Sequence, residues 1–252
     1  MRRVSRELRR SARDRYTVTE AAARVKQNEV FIVEAATCVQ PVLKSPEDCR
    51  NFIERQETGP IYVEGIKAGD MMRIDIIDIK IVGHASGARC KDNGQREFFE
   101  VKHEEGIVIC HGGLLYLGDL HAYQGWGEWL GVGCECAGDV TISVCREDFF
   151  VSQRPVIIKK DSYTCIACRV SYGEAIDLAL NDAALILVKM TGLSHEDALS
   201  YCKLTGNGMN GQMWHLPYPA LYLKDGSPVM DFPCTVGMEI PTGILKKYGK
   251  IL

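Results

Sequence analysis

Between Met72 and Ile81 the apolar residues change phase, and no other stretch constrains the fold as tightly. Met72, Ile74 and Ile76 alternate with Arg73 and Asp75, after which the apolar positions become Ile77, Ile79 and Ile81. Side chains along a strand point alternately to its two faces. A slip of one residue therefore moves a whole hydrophobic set to the wrong side. One extra residue near Ile76–Ile77, bulged out of the ladder, resolves the conflict and bends the strand. The stretch predicts a long bent strand, and with it a curved sheet or barrel-like sandwich.

The remaining patterns make the chain β-rich first and helical late. Val140, Ile142 and Val144 against Thr141 and Ser143 predict a second long alternating strand, and residues 29–36 and 61–66 two shorter ones. Lys67-Ala68-Gly69-Asp70 is a turn signal, and residues 41–58, with Pro41 and Pro46, read as an irregular connection. Ser171 with Glu174 has capping-box spacing for a helix over 172–190, whose Ala175, Ile176, Ala179, Leu180, Ala183, Leu187 and Met190 recur at helical intervals. Gly192 stops it. Ser194 with Asp197 opens a second helix to about Leu204, ended by Gly206. The two form a hairpin expected to cover one sheet face, with His195 an exposed first-turn residue. Residues 207–220, with Asn207, Asn210, Gln212, Trp214 and His215 among glycines, read as a polar loop, or more sharply as the lining of a site.

At 252 residues, 46% hydrophobic and 25% charged, the chain can bury a substantial core. It is expected to be one domain over 24–252, or two interleaved subdomains of about 24–150 and 151–252, after a basic arm over 1–23. That arm carries Arg2, Arg3, Arg6, Arg9, Arg10, Arg13 and Arg15 against Glu7 and Asp14, which reads as a solvated helix or frayed segment. A transit peptide or anion-binding arm is the sharper alternative, and its apolar content is too low for a secretory signal. A net charge of −3 gives no reason to expect a nucleic-acid partner, and no run reaches the ~20 apolar residues of a membrane span. Eleven cysteines without a secretory signal fit reduced thiols in a cytoplasmic protein. Cys134-x-Cys136 and Cys165-x-x-Cys168 leave a zinc or redox site open, but only the second pair has knuckle spacing, so partly buried thiols are the plainer reading.

The chemistry concentrates in Gly118-Asp119-Leu120-His121-Ala122-Tyr123-Gln124-Gly125-Trp126-Gly127-Glu128. Each interior glycine costs a helix roughly 1 kcal/mol, so the segment reads as turns and short extended pieces. Asp, His, Gln and Glu held on such a bent backbone suit a metal site or an acid/base site for hydrolysis. The bland alternative makes it a fold-determining corner, with Trp126 and Trp129 packed and His121 and Gln124 satisfying buried backbone groups.

These residues carry a resemblance. Gly59-Pro60-Ile61-Tyr62-Val63-Glu64-Gly65, Gly69-Asp70 and Asp75-Ile76-Ile77-Asp78-Ile79 resemble the early strands of the acetamidase/formamidase family. The segment Gly118-Asp119-x-His121-Ala122-x-Gln124-Gly125-x-Gly127-Glu128, with Gly131 and Cys134-Glu135, is similar to that family's most distinctive motif. Gly192-Leu193-Ser194-x-Glu196-x-Ala198 fits its carboxy-terminal part, and the whole resemblance spans roughly residues 24–241.

The resemblance implies a β-rich α/β protein of curved sheets with a carboxy-terminal helical hairpin. It implies a metal-assisted homo-oligomeric hydrolase that cleaves small linear amides to ammonia and a carboxylate. On this reading Asp119, His121 and His111 hold a divalent ion, zinc or calcium, with Glu135 a further ligand or an orienting neighbour. Glu128 is the general base and then the proton donor to the leaving amine, and Gln124 orients the amide.

The chain also departs from the family pattern. Leu114-Leu115-Tyr116-Leu117 follows His111-Gly112-Gly113 directly, no proline- and glycine-rich stretch lies between Val108 and His111, and Thr37 stands where the family tends to have an acid. An inactive or binding homologue on the same scaffold is therefore the first alternative, and a cysteine-based zinc or redox protein the second.

Overall fold

Ile77 is the extra residue that the change of phase demands. In the antiparallel ladder between Met71–Gly87 and Cys134–Arg146, Thr141 faces Asp78 while Ile142 faces Ile76, so the register passes over Ile77. Its side chain is 43% exposed. Beyond it Ile79 lies opposite Val140, as Ile76 lies opposite Ile142 and Ile74 opposite Val144. Val140, Ile142 and Val144 are buried. Without the bulge Asp78 and Lys80 would take the positions that Ile79 and Ile81 occupy.

The computed structural model describes residues 1–11, 20–36, 56–87, 95–96, 106–111, 113–118, 120–121, 134–148, 152–169, 171–211 and 234–248. Along the chain the strands are β1 (Arg2–Val4), β2 (Arg9–Ser11), β3 (Ala23–Val25), β4 (Val30–Ala35), β5 (Gln56–Val63), β6 (Met71–Gly87), β7 (Gln95–Arg96) and β8 (Gly106–His111). They continue as β9 (Leu114–Gly118), β10 (Leu120–His121), β11 (Cys134–Arg146), β12 (Val156–Ile158), β13 (Ser162–Arg169), β14 (Asn207–Asn210) and β15 (Cys234–Pro241). The helices are α1 (Tyr172–Thr191), α2 (His195–Thr205) and α3 (Gly243–Lys247). These elements fall into two units, the first holding β1–β7 and β9–β11, the second β8, β12–β15 and the helices. Residues 41–55 of the expected connection over 41–58 lie outside the described residues, and its last residues, from Gln56, already belong to β5.

The first unit is built of two sheets. One runs β1-β4-β11-β6, with β10 also on β11 and β7 on β6. The other centres on β5, which pairs with β2, β3 and β9. Strand β4 lies against β5 and β9, and the Thr58 hydroxyl, fully buried, donates to the Glu34 carbonyl at 2.7 Å. Phe31, Val33 and Ala35 on β4 and Ile61 and Val63 on β5 are also fully buried.

Over residues 1–11 the arginine-rich start is not a frayed arm or a solvated helix. Arg2–Val4 pairs in parallel with Phe31–Val33, a short 3-10 turn covers Arg6–Leu8, and Arg9–Ser11 pairs with β5. The reason is electrostatic. Glu34 and Asp139 sit directly opposite each other on β4 and β11, a placement that repels for like charges. Arg3 bridges them, Nε to Glu34 Oε1 at 2.7 Å and Nη2 to Asp139 Oδ2 at 2.5 Å, and Arg6 Nη2 reaches Asp139 Oδ1 at 3.4 Å.

The Arg3 hydrogen bond holds the Glu34 carboxyl below its ordinary value. A depressed carboxyl contributes stability above its unfolded pKa, about 4.3, and loses it as pH falls through the folded value. Replacing Arg3 and Arg6 together by Ala should therefore lower the thermal midpoint at neutral pH and flatten its decline below about pH 4. Superimposable wild-type and variant melting curves across that range would refute the role.

In the second unit β8-β12-β13-β15-β14 form consecutive antiparallel pairs from β8 to β12, β12 to β13, β13 to β15 and β15 to β14. Helix α1 lies on β13 and β15, and α2 lies on α1 and β15, so the hairpin covers a sheet face as its pattern predicts. The Ser171 hydroxyl caps α1 by accepting from the Glu174 amide, and Ser194 caps α2 by accepting from the Asp197 amide. Gly192 takes the left-handed conformation that ends α1 (φ 77°), where a side chain would be strained. Ala175, Ala179 and Ala183 bring α1 close to the sheet, where the buried Tyr163 hydroxyl donates to the Ala183 carbonyl at 2.9 Å.

His195 is exposed, with Nε2 3.1 Å from Asn181 Oδ1. Asn207–Asn210 is not a loop but an edge strand on β15. Asn and Gly are poor strand formers, so here the β15 ladder overrides local preference; residues 212–220 lie outside the described residues. Among the described residues no helix is long and apolar enough to cross a membrane.

Candidate functional site

Of the segment that concentrates the chemistry, Gly118 ends β9, and Leu120 and His121 form β10, both in the first unit. Strand β9 runs antiparallel to β5, with Gly118 opposite Glu57, and this includes Leu114 and Leu115, where the sequence departs from the pattern it otherwise resembles. Strand β10 then pairs antiparallel with β11, setting Leu120 opposite Cys136 and His121 opposite Glu135. Two of the expected ligands, fourteen residues apart in sequence, thus become register partners. His121 is half-buried.

Local features of β11 make this pairing specific. Between Glu135 and Ala137 its register against β6 shifts, Glu135 facing Ser86 and Ala137 facing Val82. Such irregularities re-aim side chains and recur beside active sites. Cys136 is 1% exposed, and its thiol donates to the Leu120 carbonyl at 3.4 Å.

His111 is the last residue of β8, in the second unit, and its side chain lies outside the described residues, as do those of Glu135 and Cys134. Asp119, Gln124 and Glu128 lie outside them altogether, together with Thr37, Trp126 and Trp129. Among the described residues no group of three or more His, Cys, Asp or Glu side chains is gathered to hold an ion.

The cysteine alternative meets a geometric objection. Cys165 and Cys168 both lie on β13, three positions apart, and residues an odd number apart on a strand face opposite sides. Cys165 is buried and Cys168 exposed, its Sγ 3.0 Å from Thr235 Oγ1. Burial, and secondarily the Asp182 charge, pushes the Cys165 thiol well above its ordinary value, away from the thiolate a metal needs. The two cannot converge on one ion as a knuckle pair.

The sequence matches no family model and no curated protein. Its fold does match solved structures. Against a predicted acetamidase/formamidase from the thermophile Thermoanaerobacter tengcongensis the TM-score is 0.72, with 23% identity over 98% of this chain and 97% of that one. Against an acetamidase from Bacillus halodurans it is 0.75, with 21% identity over 98% and 100%. An acetamidase from Yersinia enterocolitica gives 0.69, with 17% identity over 90% and 87%. The β-rich fold of this chain is the one these acetamidase/formamidase structures share.

Proposed function

We propose that the protein is a metal-assisted amidohydrolase acting on small linear amides of the formamide or acetamide type. The observation that carries this reading is the β10–β11 register, which sets His121 opposite Glu135 with Asp119 immediately before β10. An imidazole and two carboxylates are a donor set suited to a divalent cation, zinc above all. The names of the solved structures that share the fold support the same substrate class.

In this reading Asp119, His121 and Glu135 hold the ion. A divalent cation bound there would polarise the amide carbonyl and make water more acidic. Glu128 takes a proton from the attacking water as its oxygen bonds to the carbonyl carbon. It returns that proton to the amide nitrogen as the C–N bond breaks, so a carboxylic acid and ammonia leave. Gln124 orients the amide through its own carboxamide. The substrate's small size leaves little remote binding energy, so orientation near the reacting carbon carries the rate.

The test is metal content together with ammonia release. The purified protein is expected to retain about one divalent ion per chain, to lose it on His121→Ala, and to release ammonia from formamide or acetamide. Retention of the ion by His121→Ala and its loss on Cys165→Ser would move the assignment to the thiols. Absence of both ion and ammonia would leave a scaffold without this chemistry.

A further inference from the structure

We infer that Cys136 and Gly138, on β11, are positioning residues that place β10 and so set the affinity of the His121 site for its ion; this rests on the amidohydrolase reading above. Strand β10 is two residues long, Leu120 and His121. So short a strand cannot hold itself in place by its own ladder bonds. Among the described residues the strand it pairs with is β11.

Two contacts fix it there. On one side, the nearly inaccessible Cys136 thiol donates to the Leu120 carbonyl at 3.4 Å, directly at the register partner of Leu120. On the other, the Leu120 side chain lies over Gly138. A Cβ built on Gly138 would stand 2.7 Å from Leu120 Cδ1 and 3.1 Å from the Lys80 carbonyl oxygen on the neighbouring strand. The first distance is shorter than real carbon contacts, so with a side chain at position 138 the Leu120 methyl must swing aside and lose its seat over β11. Leu120 directly precedes His121 on β10, so losing that seat loosens the strand at the histidine. Neither Cys136 nor Gly138 supplies a ligand; each acts through the backbone of β10. Outer-shell residues of this kind commonly change metal affinity about 10- to 100-fold.

The experiment is a double-mutant cycle read by zinc affinity and by hydrogen exchange of the Leu120 and His121 amides. Gly138→Ala is expected to weaken zinc binding about tenfold and to raise exchange on β10. The same change in a Leu120→Ala background should move affinity less than twofold, because the displaced methyl is gone. Cys136→Ala, which removes the donor and adds no bulk, should weaken binding in the same direction while the thermal midpoint stays near wild type.

Equal effects of Gly138→Ala in both backgrounds, or none in either, would overturn the inference. If the wild type binds no zinc, the amidohydrolase reading falls by itself. Placement of β10 is then decided by exchange alone: unchanged protection of Leu120 and His121 in Gly138→Ala and Cys136→Ala would overturn it.

Discussion

Glu128→Gln is expected to abolish ammonia release from formamide and acetamide while leaving the fold and the bound ion in place. The amide side chain is close in size to the carboxylate but cannot take a proton from water. General acid–base assistance contributes about 10²–10⁴ in rate, and in the proposed reaction one residue serves twice, first as base and then as donor to the leaving amine. Loss near the upper end of that range is the expected result. The measurement is kcat for ammonia release beside metal content and circular dichroism. Turnover within threefold of wild type would assign the proton transfer elsewhere. A fall in activity matched by loss of the ion would make Glu128 a ligand rather than a base.

The second large effect lies inside the second unit. Asp182 is 7% exposed on the buried face of α1, and its Oδ2 lies 3.2 Å from Arg154 Nε. The two atoms are not aligned as a hydrogen bond, so their attraction is coulombic. Removing one member of a buried ion pair costs about 3–5 kcal/mol because the other charge stays behind, whereas exchanging both for apolar groups is often neutral or stabilising. Asp182→Leu should therefore lower unfolding free energy by about 3 kcal/mol, and Arg154→Leu with Asp182→Leu should recover it, as measured by urea titration. A double variant no more stable than Asp182→Leu would show that the charges are not coupled.

Burial raises the Asp182 carboxyl, and the Arg154 charge pulls it only partly back. A raised carboxyl contributes its stability below the unfolded value, about 3.9, and loses it as pH rises through the folded one. Stability relative to Asp182→Asn should thus rise on acidification toward about pH 4, the opposite sense to Glu34.

Much of the fold was legible because its signals are local. The bulge follows from the phase of apolar residues around Ile76 and Ile77, where a strand must bury Ile79 rather than Asp78. The ends of α1 and α2 follow from Ser171, Ser194 and Gly192, whose partners are one turn away. Asp182 was not legible, because its position on the apolar stripe contradicts its chemistry, and only Arg154, brought in from before β12, makes that burial tolerable. Nor was β14, whose Asn and Gly residues favour a loop until β15 offers a ladder.

The candidate site divides the same way. By itself the sequence determined which residue types stand close together between Asp119 and Glu128, because glycine spacing and side-chain chemistry need no long-range information. It also determined the long bent strand and the capped hairpin, for each is encoded within a turn or two of chain. Tertiary structure alone decided that His121 faces Glu135, that Arg3 joins Glu34 to Asp139, and that Leu120 rests where Gly138 has no side chain. These contacts depend on strand register, and register is settled by burying whole faces of paired strands at once, which no local stretch of sequence can specify.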